Sequence, residues 1–429
     1  MDKVTQSGKN ITPFGGLNFI YDAIKRAGLH LFLDKALGNR SSVAQYKRSD
    51  VVLSLLGNAM CNGDYIADLK TFKQKFTDQV FTRIPSADTV EYVCDELKTK
   101  TLIEKSKHDE KITHEINYNT DLNKSLVSLC VQTKQLKTDV TNYTLDFDNV
   151  VIATEKRDAK MSYKMIKGYH PNIAFIGRLP VHLENHNGNT PAKYAQAQTL
   201  KRCFDNLDAH GIKIADFRAD SASYQKEVID LVSKRATHFF VRIIDFAGIR
   251  AHCAQIETWN TLEINYEKKE VGSTLYKPFE EENEYRIVVT RVAKKTQQID
   301  IESQSAYDYY GIMTNNLSLT DKEVILFYNQ RGDSENSNRY LLNDFNLHHL
   351  PFPDMDKNTV FMYLMTMCSV IFDWIKTVLI ANETKGITIT QRIKAICFNY
   401  VCVATNFVYH ARQKIIQVFS SQHYQILKI

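Results

Sequence analysis

What this chain has little of narrows the reading first. Its eight cysteines (positions 61, 94, 130, 203, 253, 368, 397 and 402) include no C-x2-C pair and no matching histidine spacing, so a zinc site is not expected. Scattered in this way they read as reduced core thiols of a cytoplasmic protein. The N-terminal MDKVTQSGKNITPFGG lacks the apolar stretch of a signal peptide. Charge of one sign is scarce too: 54 Lys and Arg against 49 Asp and Glu leave a net +5. Any surface for a polyanion must therefore come from local clustering. Two tryptophans are few for the sugar platforms of a glycosidase built on paired carboxylates. The most apolar run, 360–381, is interrupted by Asp373, Trp374 and Lys376 and reads as a buried helix, not a membrane span. What remains is an ordinary globular composition, 44% hydrophobic and 24% charged over 429 residues, enough for two to four structural units.

Against that background three acidic segments stand out. Tyr143-Thr-Leu-Asp146-Phe-Asp148-Asn-Val-Val-Ile152 is rich in β-formers, and an apolar run around two acids predicts a buried central strand. Residues two apart share a strand face, so Asp146 and Asp148 project together and repel unless a cation or donors lie between them. On spacing alone, either is a site residue or a strand-end cap. Farther on, Ile212-Lys-Ile-Ala-Asp-Phe-Arg-Ala-Asp220-Ser-Ala-Ser-Tyr224 reads as a strand ending in an acid before a helix. Asp220 is there either a helix N-cap or a ligand-binding acid at a strand's C-terminal end. The third segment is Tyr328-Asn-Gln-Arg331-Gly-Asp-Ser-Glu335-Asn-Ser-Asn-Arg339. On one helix Tyr328, Arg331, Glu335 and Arg339 would fall within an arc of about 80°, placing a carboxylate between two guanidinium groups. Such a face suits a metal ion with phosphate oxygens around it; the plainer reading is i,i+4 ion pairing.

The Y-x2-R-x3-E spacing at Tyr328, Arg331 and Glu335 resembles the glutamate signature of bacterial insertion-sequence transposases of the DDE type. Leu342 stands where the strictest signature has lysine. The D-S-x-x-Y context of Asp220 resembles the family's second aspartate motif, and Asp148-Asn-Val fits the register of the first better than Asp146-Phe-Asp does. The resemblance implies an α/β fold with an RNase H-like mixed-sheet catalytic core. It implies Asp148, Asp220 and Glu335 as catalytic ligands of two Mg2+ (or Mn2+) ions, and Tyr328, Arg331 and Arg339 as phosphate contacts. The implied reaction is nicking at the element's terminal inverted repeats, then joining of 3′-OH ends to target DNA. The implied partner is double-stranded DNA, both transposon ends and target, bound by a homodimer in a cytoplasmic, nucleoid-associated setting without a membrane. A catalytically silent DNA-binding relative is the alternative.

The remaining chain is read around this core. Residues 1–139 have helical spacing and, on the resemblance, form a DNA-binding region; 140–245 and 307–350 form the two parts of the core. The stretch 246–306 resembles the family's β-rich insertion, and 351–429 forms a partly helical C-terminal region with possible subunit contacts. Whether 393–419 is strand or helix stays open. Between Lys156 and Arg178, basic groups alternate with aromatics, Lys164 and Lys167 among them, as suits a phosphate backbone and unstacked bases; a solvated loop is the alternative. Trp259 is expected in the core.

Overall fold

The structure, a computed structural model, describes residues 11–76, 83–106, 109–264, 266–280, 283–293, 307–382, 384 and 386–420. The first ten residues and the end of the β-rich stretch, 294–306, lie outside the described residues, as do the side chains of Glu280, Asp333 and Lys414. The chain divides into two units: Met1–Gln135 with Ile152–Lys160 and Arg339–Ile429, and Leu136–Val151 with Met161–Asn338.

In the first unit, apolar residues at helical spacing bury one face of each short helix. Gly16–Arg26 turns Leu17, Ile20, Tyr21 and Ile24 inward. Ala87–Leu97 starts at Ser86, whose side chain accepts from the Thr89 N–H, and buries Val90, Val93 and Cys94. Arg48–Met60 and Met355–Ala381 are apolar almost all round and pack on each other as the centre of this core. Met355–Ala381 is long and apolar enough to cross a membrane by length and composition, and 72% of its most apolar window is buried inside the protein. Its Lys376 is buried against Asp373 at 2.7 Å and donates to the Ile389 carbonyl at 2.8 Å. Leu102–Lys105 and Thr113–Asn117 form an antiparallel hairpin within the stretch expected to be helical. The second strand alternates half-buried and buried side chains in its first residues, the period of a strand. Residues 393–419 resolve into the short helix Ile393–Ile396 and a hairpin of Thr405–His410 with Gln413–Val418. Thr12 bridges Thr405, so the two ends of the described chain share one core.

The second unit runs β1 (Tyr143–Asn149), β2 (Asn172–Ile176), β3 (Leu179–His186), α1 (Gln196–Ala209), β4 (Ile214–Ala219), α2 (Lys226–Arg235) and β5 (His238–Arg242). It continues with α3 (Ala247–Ala254), β6 (Asn260–Ile264), β7 (Glu267–Tyr276), β8 (Tyr285–Ala293), β9 (Tyr307–Thr314), α4 (Asp321–Asn329) and α5 (Gly332–Asp344), the last leaving the unit after Asn338. Its strands form a mixed sheet in the order β3-β2-β1-β4-β5-β9-β8-β7-β6. β4 is parallel to β1 and to β5, while β2 and β9 flank these three antiparallel. The parallel pairs need crossovers, which α1 and α2 supply. The β-rich stretch extends this sheet through β9. α4 covers it, packing Val324, Ile325 and Tyr328 with Phe240, Ile264, Val271, Val288 and Ile312. Trp259, expected in the core, is half-buried. Its indole N–H donates to the Ile256 carbonyl at 2.8 Å, and the Arg291 guanidinium lies 4.1 Å from its ring. A ring with one satisfied polar edge and one cation-covered face needs no deeper burial.

Candidate active site

Strand register brings the first two acids together. In the parallel pair of β1 and β4, Phe147 lies opposite Ala219, so Asp148 and Asp220 are the next residues on adjacent strands, at their carboxyl ends. This is the side on which sheets of parallel strands bind ligands. Asp146 and Asp148 share a face, but their neighbours differ. Asp146 lies opposite Arg218 and receives both its Nε and Nη2 at 2.7 Å, a buried two-point pair.

Asp148 has no such cation to itself. Its Oδ1 accepts from the Asn149 N–H at 3.0 Å, its Oδ2 accepts from Asn338 Nδ2 at 3.0 Å, and Arg331 Nη1 stands 3.8 Å away. Burial pushes its pKa up to about 6; Arg331 counters this, while the charges of Asp220 and Glu335 add to it. Asp148 therefore feels the charges of both other acids named from the sequence. Asp220, half-buried, also caps the turn Ser221–Ser223 by accepting from the Ala222 N–H at 2.9 Å, so the cap reading is realised alongside its place in the site. Glu335 is exposed and pairs with Arg331 Nη2 at 2.9 Å. Among the described residues no group of three His, Cys, Asp or Glu side chains stands close enough to hold an ion.

The single helical face expected over Tyr328–Arg339 is not formed. α4 ends at Asn329 and α5 begins at Gly332, with Arg331 in the turn between them. Tyr328 is 9% exposed and packs in the core under the sheet, its hydroxyl donating to the Ala219 carbonyl at 3.3 Å. From there it braces the strand end before Asp220. Arg339 is exposed and belongs to the first unit. Arg331 is the charge the acids share: Tyr328 first, then Asp148, Asp220 and Glu335, hold its proton more tightly, against burial. Its Nε and Nη1 are buried without a hydrogen-bond partner in the structure. Lys164 is exposed and Lys167 half-buried, on the stretch that leads to His170.

Two residues not singled out from the sequence join the site. Asn338, one turn beyond Glu335, fixes the Asp148 carboxylate; its i+3 spacing from Glu335 was the available signal. His170 is buried, with Nδ1 against the Thr190 carbonyl at 3.2 Å. Burial lowers its pKa, with the charge of Asp220 acting the other way.

The family model described as transposase DDE domain group 1 matches residues 3–427. No curated protein matches the chain. Among solved structures, a cryo-EM structure of the piggyBac transposase synaptic complex with hairpin DNA matches with a TM-score of 0.43 and 8% identity, over 91% of this chain and 79% of that one.

Proposed function

The chain belongs to the transposase DDE domain group 1 family, and we propose that it is the transposase of an insertion sequence, acting as a homodimer on its DNA. It binds the element's terminal inverted repeats, cuts the phosphodiester backbone and joins the 3′-OH ends to target DNA. The observation that carries this is the strand register that sets Asp148 and Asp220 side by side at the carboxyl ends of β1 and β4, with Arg331 3.8 Å from Asp148 and paired with Glu335 at 2.9 Å. The chain order supports an RNase H-like core: a strand with Asp148, a hairpin, a helix, a strand leading to Asp220 and a helix.

The donor set suits a hard divalent cation, since positive charge between them relieves the cost of ionising a buried Asp148 beside Asp220 and Glu335. Asp148, Asp220 and Glu335 would hold Mg2+ or Mn2+, two ions on the family's pattern, which supply Lewis-acid activation of water or a 3′-hydroxyl and charge stabilisation at the leaving oxygen. The protein's own part is orientation. Asn338 and the Asn149 N–H aim the Asp148 carboxylate, Tyr328 holds the strand end before Asp220, and the pairing with Arg331 steadies Glu335. Arg331 Nε and Nη1, buried without a hydrogen-bond partner, are donors for a phosphate oxygen.

The test uses a duplex carrying the inverted repeat that flanks the reading frame, with magnesium or with chelator, beside a gel shift on the same duplex. Wild type is expected to bind and to nick only with magnesium. Asp148→Asn and Asp220→Asn are expected to bind and to cut at least about a hundredfold more slowly, the scale of losing one electrostatic group of a site. Undiminished cutting by either variant removes that acid from the site. Binding by wild type without cutting is the behaviour of a catalytically silent relative and overturns the enzymatic reading.

A further inference from the structure

The stretch 161–167 spends exposure on residues that normally avoid it. Tyr163 is 69% exposed and Met165 79%, and Met161 and Ile166 are exposed beside them. The turn is nevertheless well defined. The Ser162 N–H donates to the Ile166 carbonyl at 2.9 Å, the Met165 N–H to the Ser162 carbonyl at 2.9 Å, and Met165 takes the left-handed φ of 57° that closes the tip. Behind the tip, the His170 N–H donates to the His186 carbonyl at 2.7 Å and the Gly188 N–H to the Gly168 carbonyl at 3.0 Å, anchoring its stem. The Tyr163 ring centroid lies 6.0 Å from that of His170, and Lys164 Nζ lies 5.5 Å from the centre of the Tyr163 ring. His170 in turn feels the charges of both Lys164 and Asp220. The stem continues into β2: the Pro171 carbonyl accepts from the Val150 N–H at 3.2 Å, and Asn172 lies opposite Asn149. An apolar tip with a cation at its rim therefore stands on the segment that runs to the Asp148 end of β1.

We propose that this turn is a stacking platform for a DNA base left unpaired beside the phosphate being cut, with Tyr163 against the base, Met165 alongside it and Lys164 on the neighbouring phosphate. This rests on the transposase reading above. Positive charge beside an exposed ring is complementary to a nucleotide, which offers a π-face and a phosphate together. An apolar partner protein would leave Lys164 unmatched.

The probe is a forked duplex with single-stranded arms and 2-aminopurine at the fork, compared with the fully paired duplex of the same sequence. Wild type is expected to bind the fork more tightly and to change the probe's fluorescence at saturation. Tyr163→Ala is expected to lose about tenfold of the fork preference together with the fluorescence change, whereas Tyr163→Trp keeps both. If wild type binds neither DNA, the transposase reading falls and the platform with it. If wild type binds DNA and Tyr163→Ala matches it in preference and fluorescence, the platform alone is overturned. A Tyr163→Ala protein that instead changes its sedimentation without DNA makes the tip a contact between copies and overturns the platform as well.

Discussion

Two aspartates on one strand face meet opposite fates because of what lies beside each. Arg218 neutralises Asp146 at two points, while Asp148 is buried among other acids. The difference has a consequence for stability. Folding raises the Asp148 pKa to about 6 from its ordinary 3.8, so between these values the folded chain holds more protons than the unfolded one. Its contribution to stability is therefore greatest below about pH 4 and falls as pH rises to about 6, by at most roughly 3 kcal/mol. Asn at this position carries no charge to desolvate and keeps an acceptor for Asn338. Asp148→Asn, unfolded by urea in chelator, is expected to be roughly 1–3 kcal/mol more stable than wild type at pH 8, the gain vanishing near pH 4. An equal or lower stability at pH 8 would mean that Asp148 ionises without strain, and the argument from its acidic neighbours would fail.

Among the elements, those that declare themselves by period were legible, and those decided by neighbours were not. The strand around Asp148 and the strand leading to Asp220 stood out because buried central strands read as apolar runs with few alternatives. The hairpin at 102–117 did not, since its first strand is exposed along its whole length and carries no apolar pattern. Tyr328 illustrates a different failure: its spacing from Arg331 was read as one continuous helix, but the chain turns at Gln330 and Arg331 and the phenol goes into the core. Gly332, directly after the break, was the visible hint. His170 is a buried polar residue that no local period marks, and Asn338, marked only by its i+3 spacing from Glu335, has its partner 190 positions away. The break also yields a prediction. A Cβ built on Gly332 meets nothing within 4 Å, and its φ is not in the left-handed region, so Ala fits the start of α5 without strain. Gly332→Ala is expected to raise stability by about 0.4–1 kcal/mol in urea unfolding, through a less free unfolded chain, with DNA cutting unchanged. A loss of cutting at unchanged stability would make the α4–α5 joint a hinge that the reaction needs.

At the scale of the whole molecule, a chain with 54 basic and 49 acidic residues has almost no long-range pull on DNA, so its grip must be local. Much of the basic charge is already spent within the fold: Arg202 on Glu184, Arg218 on Asp146, Arg291 on Glu270 and Arg392 on Asp344 each bind a carboxylate at two points. Lys164 is among the exposed cations of the turn that leads to His170, with Lys167 at the foot of the same turn. Each phosphate neutralised on duplex DNA releases close to one counterion, so each such contact adds about 0.9 to the slope of log affinity against log salt. Lys164→Ala and Lys167→Ala are expected to weaken binding of repeat and random duplexes by the same factor, and each to lower the slope by about 0.9. The measurement is a salt series of gel shifts on both duplexes. A loss restricted to the repeat sequence would make these lysines readers of bases. An unchanged slope would move the phosphate grip elsewhere and leave Arg331, two of whose buried nitrogens make no hydrogen bond, as the first residue to test.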